Sequence, residues 1–176
     1  MTLNIYCDGS CRNNGSPTAI GAWGFVAIDT SEQIKEVQHS TENNTTNQKM
    51  ELLAAIHACI YAETQITSAL DIINIYTDSA YLYNCYSQKW YEKWSNNGWL
   101  TSKKEPVSNV ELWKQIIQFF DHPQFYFHKV AGHADNRNQH EYWNNYIDNI
   151  VQNDTLLKKE TLIKNTNMEE EYDSSY

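Results

Sequence analysis

The 176-residue sequence predicts a single α/β domain in which helices flank a five-stranded mixed sheet. Apolar and polar residues alternate through much of the first forty residues, which is typical of strands. From Thr46 the apolar residues recur instead at helical spacing. Two later apolar segments, 71–77 and 125–130, predict further strands with helices between them. This order of strands and helices indicates a mixed sheet covered by helices.

The predicted elements follow one another with turn-forming residues between them. The strands are expected at 3–7, 22–28, 34–40, 71–77 and 125–130, and the helices at 46–62, 80–88, 110–120 and from about 141 to beyond 151. Residues 165–176 are acidic and have no apolar periodicity, so we expect a disordered tail after a domain that spans residues 1–164.

Composition excludes several classes of protein. Hydrophobic residues make up 41% of the chain, which is enough for a core and excludes global disorder. No apolar run reaches the roughly 20 residues of a membrane span, and the first residues lack a secretory signal. The four cysteines have neither zinc-site nor disulfide-framework spacing. We therefore expect a cytoplasmic protein, or one of the nucleus or virion interior, that is not secreted.

Net charge alone gives little information about partners. The formal charge of −9 does not indicate a general nucleic-acid binder, because the phosphate backbone is bound through Lys and Arg. The charge is unevenly distributed, however, and lysines outnumber acidic residues in the Trp-rich segment 88–104. That segment is where we expect nucleic acid to bind.

Three acidic residues are predicted to meet at one edge of the sheet. Asp8 and Asp78 each follow a predicted central strand, and Glu51 lies on the intervening helix. Each of the two aspartates, taken alone, is more simply explained as a turn or capping residue. Together, at roughly 5 Å separation, each ionised pair would repel by about 3 kcal/mol at an effective dielectric constant near 20. Hard divalent cations relieve such repulsion, and Mg²⁺ is the expected one.

Four segments then resemble the signatures of one family. In chain order they are Tyr-Cys-Asp-Gly-Ser-Cys at 6–11, Thr-Thr-Asn-Gln-Lys-Met-Glu-Leu at 45–52, Tyr-Thr-Asp-Ser at 76–79 and Lys-Val-Ala-Gly-His-Ala at 129–134. They are similar to those of type 1, or cellular-type, ribonuclease H, and the resemblance extends from about Leu3 to Val151. It implies the ribonuclease H-like fold and identifies residues 1–164 as a catalytic domain.

The resemblance also implies a function. Members of this family are metal-dependent endonucleases that hydrolyse the RNA strand of RNA–DNA hybrids and leave 5′-phosphate and 3′-hydroxyl ends. Two Mg²⁺ ions per site are expected, with Mn²⁺ as a substitute. Asp8, Glu51 and Asp78 match the first three metal ligands of the family.

The fourth ligand is predicted to be Asp148. The family pattern of an Asn, an Asp four residues later and a small apolar pair fits residues 144–151. The segment between His133 and Asp148 is longer than usual, which leaves Asp135 and Glu141 as alternatives. His133 matches a mobile histidine that assists water activation or product release, and a loop histidine is also often an inert surface residue.

Substrate-binding residues are carried over from the same resemblance. In the family, matching positions read the minor groove of the hybrid, bind a phosphate of the DNA strand or form a basic protrusion; here they are Ser10, Asn14, Thr46, Asn47, Gln48, Lys89, Trp90 and Lys93. Thr46 and Asn47 also suit helix capping. Trp94 and Trp113 are predicted to be core aromatics that fix the protrusion to the domain.

Other functions remain as alternatives at this point. They are a catalytically impaired hybrid-binding module, the nuclease part of a reverse transcriptase, and another nuclease of the wider superfamily. An exonuclease of that superfamily usually has an Asp-x-Glu in its first strand, whereas this chain has Asp8-Gly9-Ser10. A transposase or integrase would lack the segment 46–51. We expect a monomer with an RNA–DNA hybrid as substrate, no obligate protein partner and no membrane.

Overall fold

The computed structural model describes the backbone of residues 1–173 and the side chains of residues 1–168. The elements in this part of the chain are β1 (Thr2–Arg12), β2 (Ile20–Ile28), β3 (Ile34–Asn43), α1 (Asn47–Gln65), β4 (Ile72–Thr77), α2 (Ala80–Ser87), α3 (Trp90–Asn96), α4 (Val110–Phe120), β5 (Phe125–Lys129) and α5 (Gln139–Asp173). Apart from the additional short helix α3 and some element ends, they match the predicted elements.

The sheet is five-stranded and mixed, as predicted. Its strand order is β3-β2-β1-β4-β5. The first three strands form an antiparallel meander, and β1–β4 and β4–β5 are parallel pairs. The carboxyl ends of β1 and β4 therefore point in the same direction, which is the edge of a sheet where α/β proteins bind their ligands.

Helices cover both faces of the sheet. Helix α1 packs on β1 and β2 and also contacts α4, whereas α5 packs on the opposite face of the same two strands. Since successive side chains of a strand point to opposite faces, Ile5 and Cys7 belong to the core beneath α1. Tyr6 on the other face joins Trp143 and Ile147 of α5. The helices on both faces of the sheet thus pack against β1.

Strand β1 is longer than predicted. The expected strand ended at residue 7, before the turn-forming residues Asp8 and Gly9, whereas the observed strand continues to Arg12. Parallel pairing with β4 does end at Cys7, opposite Thr77. Antiparallel pairing with β2 continues from Asp8 to Arg12, and these ladder hydrogen bonds hold the chain extended.

The prediction of a disordered tail from residue 165 differs from the structure. Helix α5 continues without a break to Asp173, and residues 174–176 lie outside the described residues. A helix that is already fixed by packing propagates at low cost, because each further residue adds one hydrogen bond. Although α5 has 35 residues, no helix among residues 1–173 is apolar enough over a sufficient length to cross a membrane.

Helix α1 approaches β1 unusually closely at Gly9. A Cβ atom built at this position would lie 2.4 Å from the backbone nitrogen of Glu51 and 2.5 Å from the carbonyl carbon of Met50. Both neighbours are backbone atoms, which cannot move aside as a flexible side chain can. The absence of a side chain at Gly9 therefore sets the distance between β1 and the second turn of α1.

We predict that Gly9→Ala lowers the free energy of unfolding by about 3 kcal/mol, because the added methyl group must push α1 away from β1. Denaturant unfolding of both proteins measures this change. Gly15→Ala is the matched control, since a Cβ atom there meets nothing within 4 Å. Its cost, from the positive φ alone, is expected to be about 1 kcal/mol. Equal losses for the two variants would contradict the close approach.

Candidate active site

Strands β1 and β4 bring Asp8 and Asp78 together. Asp8 is the first residue of β1 beyond its last pair with β4, and Asp78 is the first residue after β4. Ser79 caps α2, with its hydroxyl oxygen accepting the N–H of Leu82 at 3.2 Å. Asp78 is thus fixed between the end of a strand and the start of a helix.

Helix α1 supplies Glu51. The helix is capped by Thr46, whose hydroxyl oxygen accepts the backbone N–H of Lys49 at 3.2 Å. Glu51 lies in the second turn, on the side that faces β1, and only 7% of it is exposed. The close approach at Gly9 therefore places the carboxyl group of Glu51 where little water can reach it.

The three acids form one cluster. Each residue offers a carboxylate oxygen, and these atoms all lie within 4.8 Å of one another. Asp8 is 3% exposed. Burial, and then the charges of the neighbouring carboxylates, raise the pKa values of Asp8 and Glu51 well above their usual range. The N–H of Gly9 donates to Asp8 Oδ1 at 2.9 Å and offsets only part of this cost.

The cluster fits hard divalent cations. Asp8 Oδ2 and Glu51 Oε2 are buried and have no hydrogen-bond partner in the structure. A buried carboxylate oxygen without a partner is costly, and a cation would satisfy both oxygens and neutralise the repulsion. The donor set contains oxygen only, which suits Mg²⁺ or Mn²⁺ better than softer metals.

Asp148 also belongs to this cleft. A cleft of about 490 Å³ is lined by all four predicted acids, and Asp148 raises the pKa of Asp8 further. The two alternative acids lie elsewhere. Glu141 Oε2 accepts the backbone N–H of Arg137 at 2.7 Å and lines a different cavity, and Asp135 is an exposed loop residue. The geometry therefore favours Asp148 among the three.

Asn144 orients the cluster, a role that the sequence analysis did not assign to it. Its side chain is fully buried, and Nδ2 donates to Asp78 Oδ2 at 3.2 Å. Asn144 precedes Asp148 by one helical turn, so the two residues lie on the same face of α5. At Gly132 an added Cβ atom would come within 2.8 Å of the same oxygen, Oδ2. Asp78 is thus closely contacted by the loop before α5 as well as by Asn144.

His133 stands at the mouth of the cleft. Its Nδ1 lies 3.5 Å from Asp148 Oδ2, and the side chain is 77% exposed. The backbone of this residue is left-handed, with φ of 51°. His133 is therefore close to the cluster and free to contact a bound molecule.

The substrate-binding residues predicted near the minor groove lie in or beside the cleft. Ser10 and Asn47 line it. Asn14 Oδ1 accepts the backbone N–H of Asn47 at 2.9 Å, which links the β1–β2 loop to the start of α1. Gln48 is exposed in the first turn of α1, next to the capping residue Thr46. These amides and hydroxyls form a polar surface in and beside the cleft.

The other predicted contacts form a separate surface on α3. Lys89, Trp90 and Lys93 do not line the acidic cleft. Trp90 Nε1 donates to Gln88 Oε1 at 2.9 Å, and Lys89 forms an exposed ion pair with Glu92. The two tryptophans predicted as core residues do pack inward: Trp113 is fully buried, and Trp94 packs against the same core.

Four further residues that line the cleft with the acids were not predicted from the sequence. They are Arg12, Asn13, Gln152 and Lys159. The position of Arg12 follows from strand alternation, because Asp8, Ser10 and Arg12 are two residues apart on a strand. The alternation identifies Arg12 only when β1 is known to extend to residue 12.

Comparisons with known proteins show the family of the chain. The RNase H family model matches residues 1–156. The ribonuclease H of Moorella thermoacetica is 41% identical over 134 residues, which cover 76% of this chain and 82% of that protein.

Two solved structures share the fold. The solution structure of the PFV RNase H domain has a TM-score of 0.71 at 22% identity and covers 88% of this chain and 94% of that one. The crystal structure of LC11-RNase H1 in complex with an RNA/DNA hybrid has a TM-score of 0.63 at 17% identity and covers 87% of this chain and 96% of that one. Together with the family match, the acidic cluster and its sheet edge lead to one conclusion: this chain belongs to the ribonuclease H family.

Proposed function

We propose that Asp8, Glu51, Asp78 and Asp148 together hold two Mg²⁺ ions and that this site hydrolyses the RNA strand of RNA–DNA hybrids internally. The chain is a ribonuclease H, a metal-dependent endonuclease. The observation that carries the assignment of the residues is the cluster of three carboxylates within 4.8 Å, in which one oxygen each of the buried Asp8 and Glu51 lacks a hydrogen-bond partner. Mn²⁺ is the expected substitute.

Each residue has a proposed task. The four acids would hold the ions, which would supply activation of a water and stabilisation of the leaving 3′ oxygen. Asp8 is proposed as the shared ligand, because it interacts with all three other carboxylates. Asn144 and Gly132 keep Asp78 in place. His133, exposed beside Asp148, is proposed to assist water activation or product release.

The polar surface in and beside the cleft is proposed to recognise the hybrid. Distinguishing RNA from DNA requires contacts to 2′-hydroxyls across a wide minor groove, and short amide side chains suit that task. Asn14, Asn47 and Gln48 meet this need, with Ser10 beside them. Thr46 is proposed to bind a phosphate of the DNA strand, and the surface of Lys89, Trp90 and Lys93 to bind the same strand farther along.

The cellular location and the oligomeric state of the protein remain predictions. The four cysteines are free in the structure, which is in keeping with the expected reducing compartment, cytoplasmic or nuclear or within a virion. A monomer without an obligate protein partner is still our expectation.

We predict that the protein cuts only the RNA strand of a labelled hybrid, at internal positions and only with Mg²⁺ or Mn²⁺. Duplex RNA, duplex DNA and single-stranded RNA are the controls. Asp8→Asn is expected to lower the rate at least about a hundredfold, because the shared metal ligand is lost. Binding of the hybrid without cutting, by a folded wild-type protein, would instead establish an impaired binding module.

We predict that Asp148→Asn and Glu141→Gln have different effects on cleavage. The first change removes a carboxylate from the cleft and should lower kcat at least about a hundredfold. The second removes a charge that accepts the N–H of Arg137 away from the cleft, and it should change kcat by no more than a few fold. Rates at saturating hybrid measure both effects. A large loss in Glu141→Gln alone would reverse the assignment of the fourth ligand.

We predict that the metal-free protein loses stability as pH rises from about 4 toward 7. The pKa values of Asp8 and Glu51 are raised in the folded state, so the folded protein binds more protons than the unfolded chain over this range. The free energy of unfolding therefore falls with rising pH. Mg²⁺ should restore it, because the ion binds only the folded cluster.

Thermal or denaturant unfolding at several pH values measures this dependence. In Asp8→Asn the repulsion is reduced, so the decline should be shallower and the stabilisation by Mg²⁺ smaller than in the wild type. Other titrating groups contribute equally to both proteins and cancel in the difference. Parallel stability–pH curves for the two proteins would contradict a repulsive cluster.

A further inference from the structure

We infer that Arg12 and Lys159 form a phosphate-binding subsite at the end of the cleft opposite His133, where they hold the backbone of the cleaved strand several nucleotides from the cut. This inference rests on the proposed function of the acidic cluster. Both residues line the same cleft as the four acids. The cleft is therefore acidic at one end and basic at the other.

Two independent periodicities produce this arrangement. On β1, Asp8, Ser10 and Arg12 are spaced two residues apart and share one face of the strand. On α5, residues 148, 152, 155 and 159 are spaced by four, three and four, which places them on one face of the helix. Arg12 Nε donates to Thr155 Oγ1 at 2.9 Å, so strand and helix are tied together at the basic end.

The two basic side chains are suited to bind an anion. The contact with Thr155 uses only Nε of Arg12, and among the described residues its terminal amino groups form no hydrogen bond or ion pair. Lys159 is exposed and lies where the cleft meets a second groove, of about 480 Å³, lined in part by Pro17, Leu162 and Ile163. A lysine stem can lie along an apolar wall while its ammonium group stays in water.

The lengths of β1 and α5 give the distance between the subsite and the scissile phosphate. Arg12 is four residues beyond Asp8, about 13 Å away at about 3.3 Å per residue of a strand. Lys159 is eleven residues beyond Asp148, about 16 Å away at about 1.5 Å per residue of a helix. One nucleotide advances about 3.4 Å along the axis of a duplex, so the contacted phosphate lies about three to five nucleotides from the scissile one.

One of the two residues of this subsite, Lys159, lies outside the part of the chain that the family model matches. The family match ends at residue 156, and Lys159 lies in the continuation of α5 beyond it. In a chain with a net charge of −9, a basic pair beside the acidic cluster also opposes the repulsion of a polyanion. We therefore expect the pair to contribute to binding of the hybrid rather than to the chemical step.

The test compares Lys159→Ala with Lys164→Ala, a change of an exposed lysine on the same helix that does not line the cleft. Binding of a hybrid is measured on an Asp8→Asn background, so that the RNA stays intact. Lys159→Ala should weaken binding roughly fivefold at low salt and reduce the slope of log K against log salt concentration by about 1. Lys164→Ala should change neither.

A second measurement locates the phosphate. The cleaved strand carries a short ribonucleotide block that fixes the cut, and a single neutral methylphosphonate linkage is moved along its deoxyribonucleotide flanks. One position about three to five nucleotides from the cut should weaken the wild type and leave Lys159→Ala unaffected. Identical responses of the two proteins at every position would overturn the subsite. Failure of the wild type to cut any hybrid would instead refute the proposed function, and the binding experiment would still decide the subsite.

Discussion

Repulsion among buried carboxylates is the constraint on which the rest of this structure depends. Asp8, Glu51 and Asp78 hold oxygens within 4.8 Å of one another, and at an effective dielectric constant near 20 each ionised pair is unfavourable by about 3 kcal/mol. The neighbouring donors, the N–H of Gly9 and the amide of Asn144, reach only one oxygen each of Asp8 and Asp78. The site therefore has unfilled capacity for positive charge, and this is what prepares it for metal ions.

The fold tolerates this cost because the elements that carry the acids are also the most deeply packed. The residues around Glu51 on α1, including Leu52, Ala55 and Ile56, are buried against β1 and β2. Burial of such side chains contributes roughly 1.5–3 kcal/mol for each large one, which offsets the electrostatic penalty on the same helix. Close packing at Gly9 serves both purposes, since it completes the core and brings Glu51 to Asp8.

Local sequence patterns predicted most elements because each has a strong period and clear flanking turns. Helix α4 was predicted with its observed bounds, and Asp8, Glu51 and Asp78 were expected to meet because parallel strands end at one edge. The patterns failed where a neighbouring element decides the outcome. Strand β1 extends to Arg12 because β2 pairs with it, and α5 extends to Asp173 because its first half is already packed. For the fourth acid, the pattern at residues 144–151 favoured Asp148, and Asp148 is the one of the three candidates that lines the cleft.

Helix α5 connects the chemistry of the site to the way in which a substrate is held. Asp148 and Lys159 lie on one face of a single rigid helix, so the distance between them is set by backbone geometry and not by loop conformation. A nucleic-acid phosphate bound by Lys159 would fix the position of the substrate strand relative to the acids, because the helix sets the distance between Lys159 and Asp148. The match to the family model covers the part of α5 that carries Asp148, whereas Lys159 lies beyond residue 156. Asp148 and the proposed contact of Lys159 with the substrate thus lie on different parts of one helix, so a change beyond residue 156 is expected to alter binding without altering the metal site.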